Sequence, residues 1–546
     1  MNLRRLKAAQ ARFLAEHGTV LNVTSYSPKT SWSPTPHSRG RVTRRFPQLS
    51  FFFLSFLILQ CARSTHAEIT LPKVLASHMV VQRDLPVHAW GWAAAGEAVT
   101  VSFRGQTRTA QANELGQWSI YLAPGAPGGP FELSVKGTNS LTLEDVLVGD
   151  VWVASGQSNM EFQMRKAPTA ATDLPKATNA RIRLMIVTRH AVDFPQTDVN
   201  QDPAGNGTTW AASTPETAKD FSAVAWYFAR EIEERENIPI GIIDSTWGGT
   251  VAEAWTGLAA LGEDPGLAPV FTARGHMAER EASALLREPV RQHQLADAKA
   301  QGKPEPKFPW HPLFDMWGPA MLYNGMIAPL TPFPIRGVIW YQGESNSALE
   351  RYPVYERLFR TMIEDWRRQW KVGDFPFLYV QLANFTSTPK EDWAPIREAQ
   401  RNTLALRNTG MAITIDIGNP DDVHPTDKLT VGHRLALAAR AISYGEQLEF
   451  SGPLFRQVTP EGNGLRVWFD HAAGLEYRNG SLTGFEVAGA DGQFTPAQGK
   501  IDGDTVILTS PTVPEPVAAR YGWSNSPECH LYNHAGLPAS PFTSER

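Results

Sequence analysis

The sequence predicts an α/β protein with a mostly parallel sheet, carried between two modules built from short β-strands. Two observations lead there. From Val146 to about Gly445, apolar strand-like runs alternate with amphipathic helical periodicity, the pattern of a layered α/β sheet. Outside those limits the texture is strands and turns, and no helix-length periodic segment occurs between Glu68 and Asp145. A third observation concerns chemistry. Four of the strand candidates run straight into Gly-rich or polar loops, and open parallel sheets bind ligands beyond the carboxyl ends of their strands.

The chain has 546 residues, of which 42% are hydrophobic and 19% charged, with a net charge of −4. That balance is globular, and the absence of a basic excess argues against nucleic acid as a partner. Residues 1–67 read as a leader. Arg44 and Arg45 precede an apolar run from Leu49 to Leu59, and mostly small residues follow to Ala67, where cleavage is expected. The run is too short for a comfortable membrane span, so no stable membrane insertion is expected after cleavage. The polar stretch before it reads as an overextended gene start, with a disordered extension as the alternative. Only Cys61 and Cys529 occur, and cleavage would leave one, so the core must hold the protein without an internal disulfide. The expected location is extracytoplasmic, periplasmic or secreted.

Residues 68–145 are expected to form an N-terminal β-sandwich-like module, with alternating strands at Val99–Phe103, Trp118–Leu122 and Phe131–Val135. The central domain is placed at 146–447. Its strand candidates are Val146–Ala154, Ile182–Val187, Ile238–Ile243, Gly337–Trp340, Phe377–Leu382 and Met411–Ile417. Phe221–Arg235 and Val354–Trp370 read as helices with an apolar stripe, and Val431–Arg440 as a third helix. A polar, weakly patterned stretch at about 258–309 reads as an insertion, a lid or a substrate wall. Residues 448–546 return to strands separated by Asn-Gly and Asp-Gly turns, a C-terminal β-module. The 17 tryptophans suit either core packing or sugar faces.

The organising stretch is DVWVASGQSNM, Asp150–Met160. A buried strand ends near Ala154, Gly156 makes the turn, and Met160, Phe162 and Met164 begin a helical pattern. Ser158 then stands at the mouth of the sheet beside free helix-start N–H groups, a good place for a nucleophile and equally for an N-cap. A serine hydroxyl needs a base, and His424 is the best of the 14 histidines because it lies on a loop beside two carboxylates. Asp421 is expected to orient the imidazole, with Asp422 as its rival and Asp416 a distant third. Backbone amides at Ser158 and at Gly248 or Gly249, with the side-chain amide of Gln342, are candidate oxyanion donors. Asn159, Glu344 and Asn324 are assigned to substrate binding, Glu344 having loop anchoring as its other reading. No HExxH, CxxC or clustered His/Asp spacing points to a metal. An α/β-hydrolase would show G-x-S-x-G, whereas position 160 is Met and the acid and histidine lie close together in sequence.

On these residues the chain resembles the sialate O-acetylesterases of the SGNH (GDSL-like) hydrolases, relatives of bacterial acetylxylan esterases. The resemblance is carried by VWVASGQSNMEFQM (Val151–Met164), IDSTWGGTVAEAW (Ile243–Trp255), LYNGMIAPL (Leu322–Leu330) and RGVIWYQGESN (Arg336–Asn346). It continues in DVHPTDK (Asp422–Lys428), VGHRLALAAR (Val431–Arg440) and the tail HLYNHAGLPASPF. It implies a three-layer α/β/α domain, Ser158 as nucleophile, His424 as base and no cofactor. Asp421 fits the superfamily's Asp-x-x-His spacing, and Gln342 stands where the superfamily has its asparagine. The expected activity is removal of acetyl groups from sialic acid or another acetylated glycan such as xylan, through an acyl-enzyme. The alternatives are a broad small-ester serine esterase and a non-catalytic carbohydrate-binding protein.

Overall fold

The computed structural model describes residues 68–199, 209–306, 308, 311–478 and 482–545. The expected leader, 1–67, lies outside the described residues. Strands β1 (Val80–Gln82), β2 (Val87–Trp92), β3 (Ala98–Phe103), β4 (Gln106–Gln111), β5 (Gln117–Leu122) and β6 (Gly128–Lys136) come first. They lead into β7 (Ser140–Gly156), a 17-residue strand. Then follow β8 (Asn179–Ile186), β9 (Ala211–Ser213), β10 (Ile240–Thr246), β11 (Gly337–Tyr341), β12 (Phe377–Val380) and β13 (Thr409–Ala412). The large sheet has the spatial order β13-β12-β11-β7-β10-β8-β9 along its main path, parallel throughout except for the β8–β9 pair.

β7 sits where the strand order reverses, with β10 on one side and β11 on the other. Its first half pairs with β6 and β1, and from Asp150 onward its partners are β10 and then β11. The expected boundary between residues 145 and 146 therefore falls inside one continuous strand. Buried on both faces, the second half of β7 reads as an unbroken apolar run, which is why it is visible in the sequence. Asp150 lies at the handover, fully buried, and accepts hydrogen bonds from Gln82 (2.8 Å) and Arg83 (2.9 Å).

Helices cover both faces of the sheet. Those flanking it or feeding its loops are α1 (Ser158–Glu161), α2 (Ala223–Glu236), α3 (Ala268–Leu285), α4 (Glu288–Ala300), α5 (Tyr355–Trp370), α6 (Ala394–Thr403) and α7 (Lys428–Tyr444), α1 being a single turn. On one face Trp152 packs edge-on against Phe228 of α2, and Gly432 of α7 lies against Val224 and Tyr227. On the other, Trp340 meets Phe359 and Trp366 of α5. Trp152, Trp226, Trp255, Trp340 and Trp366 are all fully buried, so these tryptophans build core rather than sugar platforms. α2 and α7 both begin on a side-chain cap, Ser222 and Asp427, and end in a left-handed residue, Asn237 and Gly445. The 258–309 stretch is largely helical, α3 and α4 included, and α4 buries no residue. The described residues between 454 and 543 form small antiparallel sheets. Among the described residues no helix is long and apolar enough to cross a membrane.

The three central strands end level with one another. Gly156 pairs with Thr246 of β10 on one side and with Tyr341 of β11 on the other. It has φ +133°, and a Cβ there would stand 2.2 Å from the Tyr341 carbonyl oxygen. Only glycine fits both demands. Gly156→Ala is expected to destabilise the protein by about 2–4 kcal/mol, since a wrong-handed φ and an overpacked backbone contact add. Thermal denaturation followed by circular dichroism checks this; an unchanged midpoint would refute it.

Candidate active site

Four loops leave the carboxyl ends of the parallel strands and meet above β7. The first turns at Gly156, passes the extended Gln157 and enters α1 at Ser158. The helix expected from the Met160-Phe162-Met164 pattern stops after one turn. Its continuation is pre-empted because the Phe162 carbonyl accepts from the Ala223 amide (2.8 Å) and the Met164 amide donates to Phe221 (2.9 Å). Met160 and Met164 are nevertheless fully buried, so their apolar spacing reports core packing on a pinned chain.

Ser158 Oγ lies 2.8 Å from His424 Nε2. These two residues are 266 apart in sequence, and the loop carrying His424 leads directly into α7. Burial lowers the His424 pKa below the ordinary imidazole value of 6.5; Lys428 and Lys166 push the same way and Asp422 opposes them. The carboxylate facing Nδ1 is that of Asp422, with Oδ1 at 3.6 Å, an ion-pair distance rather than a hydrogen bond. The same oxygen accepts the His424 backbone N–H at 2.9 Å, which turns the loop back on itself. Asp421 is exposed, donates its own amide to Asn419 (3.0 Å), and is not a partner of His424. Asp416 is taken by Arg434, with both oxygens at 2.7 Å.

The expected oxyanion donors divide. The Gly248 backbone N–H points toward the site but donates to Glu161 Oε2 at 2.6 Å. The other Glu161 oxygen is ion-paired with Arg189, whose guanidinium lies over the Trp247 ring at 5.7 Å. Gly249, with φ +73°, makes the turn, and its carbonyl accepts from Trp317. Gln342 does not reach the site. It is fully buried, and its amide donates to Thr250 O (3.2 Å) and Asn346 Oδ1 (2.6 Å), spending both hydrogens. Gln342 instead ties the second loop to the third, beside a buried Glu253–Arg351 pair.

The residues assigned to substrate binding are buried, and none of them lines the cavity above Ser158. Asn324 is buried, and its side chain holds the Val192 carbonyl at 3.0 Å. Asn159 is buried and donates to Glu344 Oε1 (2.6 Å) and to the Val423 carbonyl (2.9 Å), while its own Oδ1 accepts from Lys428 Nζ (2.6 Å). Glu344 is buried and does not line the cavity, and burial raises its pKa above the ordinary carboxylate value. The open cavity above Ser158 has a volume of about 570 Å³ and is lined by Ser158, Glu161, Phe162, Gln163, Lys166, Asp422, His424 and Thr426. No described residue of 258–309 lines it. Glu161, Lys166 and Lys428 escaped the sequence reading. The available signal was the place of Glu161 and Lys428 inside the motif segments SNMEFQM and DVHPTDK, with Lys166 two residues past the first. Among the described residues no group of three or more His, Cys, Asp or Glu side chains could hold a metal ion.

Comparison with known proteins identifies the family. Residues 312–441 match the family model for carbohydrate esterase, sialic acid-specific acetylesterase. The rat sialate O-acetylesterase is 30% identical over 542 residues, covering 90% of this chain and 97% of the relative. The human sialate O-acetylesterase is also 30% identical, covering 89% of this chain and 94% of the relative. A solved carbohydrate acetylesterase from Xanthomonas citri is 40% identical, with a TM-score of 0.75, and the match covers 88% of this chain and 100% of that one. The chain therefore belongs to the sialate O-acetylesterase family and is a carboxylic ester hydrolase.

Proposed function

We propose that this protein is an exported carbohydrate O-acetylesterase working through a serine acyl-enzyme, with an O-acetylated sialic acid or another acetylated glycan as substrate. The observation that carries the reading is the 2.8 Å contact between Ser158 Oγ and His424 Nε2. The similarity to sialate and carbohydrate acetylesterases along most of the chain supports the substrate class. The open cavity, lined by polar and charged side chains beside Phe162, suits a hydroxyl-rich sugar rather than a long acyl chain. The leader-like segment ending near Ala67 supports export.

In this mechanism Ser158 Oγ attacks the acetyl carbonyl as His424 Nε2 takes its proton. The tetrahedral oxyanion is held by the backbone N–H groups of Ser158 and Gly248, the latter freed when the Glu161 carboxylate gives way and remains neutralised by Arg189. Collapse breaks the ester C–O bond, and the imidazolium protonates the departing sugar oxygen. A water molecule, deprotonated by His424, then attacks acetyl-Ser158, releasing acetate and restoring the serine. Asp422 is the carboxylate assigned to stabilise the imidazolium, because it is the one facing Nδ1.

Three outcomes are expected. Ser158→Ala should reduce acetate release from a chromogenic acetyl ester and from acetylated sialic acid by about 10⁴-fold or more. An unmutated chain that releases acetate from neither, nor from acetylated xylan, would overturn the esterase reading. Asp422→Asn should lower kcat by about 10²-fold or more, and Asp421→Asn by less than about threefold; the reverse order would return the role to Asp421. The base works only when neutral, so kcat/KM should rise with pH through the His424 pKa. Because burial depresses that pKa, the acid limb of the profile should lie below pH 6.5. A midpoint above that value would show His424 to be stabilised in its charged form instead.

A further inference from the structure

Asn159 directly follows the nucleophile and Val423 directly precedes the base. One hydrogen bond joins these two neighbours, Asn159 Nδ2 to the Val423 carbonyl at 2.9 Å. The other Nδ2 hydrogen goes to Glu344 Oε1 at 2.6 Å, and Lys428 Nζ donates to Oδ1 at 2.6 Å. All donors and the acceptor of the amide are thus engaged, inside a cluster where Asn159 is 1% exposed, Lys428 0% and Glu344 8%.

The amide has only one tolerable orientation. Reversed, its NH₂ would face the Lys428 ammonium, and its oxygen would face a carboxylate and a carbonyl, three repulsive contacts in place of three bonds. Lys428 is itself fixed, with its ammonium between the Phe162 and Tyr341 rings, 5.1 Å from each centroid. The three side chains come from the nucleophile loop, the loop after β11 and the start of α7.

Given the serine-esterase reading above, we propose that Asn159 is a positioning residue, a strut setting the Ser158-to-His424 distance, and that Lys428 locks its amide in the working orientation. Neither touches the reacting atoms. Asn159→Asp is the decisive variant, because it keeps the shape and the bond from Lys428 but cannot donate to both Glu344 and Val423. It should fold with a lowered thermal midpoint, because its second oxygen then faces Glu344 and the Val423 carbonyl, and it should lose about 10²-fold in kcat on a chromogenic acetyl ester while keeping KM within about threefold. Lys428→Met should also lose kcat, and it carries a further signature. The charged groups facing His424 are Asp422, Lys428, Lys166 and, across the cavity, Glu161. Removing the Lys428 cation should therefore move the acid limb of kcat/KM to higher pH. Lys428→Arg, which keeps the charge, should leave that limb in place. A folded Asn159→Asp protein with unchanged kcat overturns the strut while leaving the esterase reading intact. If that variant unfolds, Lys428→Met with unchanged kcat and an unmoved limb overturns it equally. An inactive unmutated chain overturns both readings.

Discussion

The structure depends on a close backbone approach at the end of its central strand. Gly156 brings β7 so near to β11 that a Cβ would strike the Tyr341 carbonyl. From that contact the chain turns, and the next amide, that of Gln157, bonds to the same Tyr341 oxygen at 3.0 Å. On the other side the Trp247 amide donates to the Gly156 carbonyl at 3.1 Å. Three loops of distant sequence origin are thereby referenced to one residue before any side chain is considered. The serine two positions later inherits that fixed origin, which is what a nucleophile needs when its partner arrives from far along the chain.

Around this point the polar groups are more buried than their sequence types imply. Gln342, Asn346, Asn159, Glu344, Glu253, Arg351 and Lys428 are all buried, and none lines the cavity. Two of their buried atoms, Glu344 Oε2 and Arg351 Nε, have no hydrogen-bond partner, and the bonds that remain are costly to remove. They make the floor of the site rigid and leave the exposed work to few side chains. The cavity wall is correspondingly simple, with Glu161 and Lys166 as its charged members beside Asp422 and His424.

How far the sequence foretells this depends on the range of each signal. The strands were legible because an apolar run such as Val151–Ala154 is locally unmistakable, and the mostly parallel order of the sheet follows from alternation with helices. Ser158 stood out because it lies where a strand gives way to a helix, and His424 because it lies on a loop beside two carboxylates. The choice between Asp421 and Asp422 was not legible, since it turns on the direction of one loop residue. Gln342, Asn159 and Asn324 resembled site residues because they are polar and lie within motif segments. Their true partners, Thr250, Asn346, Glu344 and Val192, come from other segments or from turns in the same loop, and no local pattern names them. Asp150 and Met164 show the same limit in reverse. Asp150 has the character of a loop residue yet is buried in the sheet, whereas Met164 fits a helix face yet lies beyond the end of α1.

Strand β7 has a consequence for the autonomy of the β-rich N-terminal region. The strand is shared, its first half completing the sheet of β3, β4 and β6 and its other half forming the middle of the parallel sheet. Cutting away residues 68–136 would strip β1 and β6 from Leu143, Val146 and Val148 and leave an apolar edge exposed. It would also take away Gln82 and Arg83, the donors to Oδ1 of buried Asp150 at the handover. The N-terminal region is thus no detachable accessory. It acts as the splint on which the nucleophile's own strand is set, and the smallest unit that can keep Ser158 in place includes it.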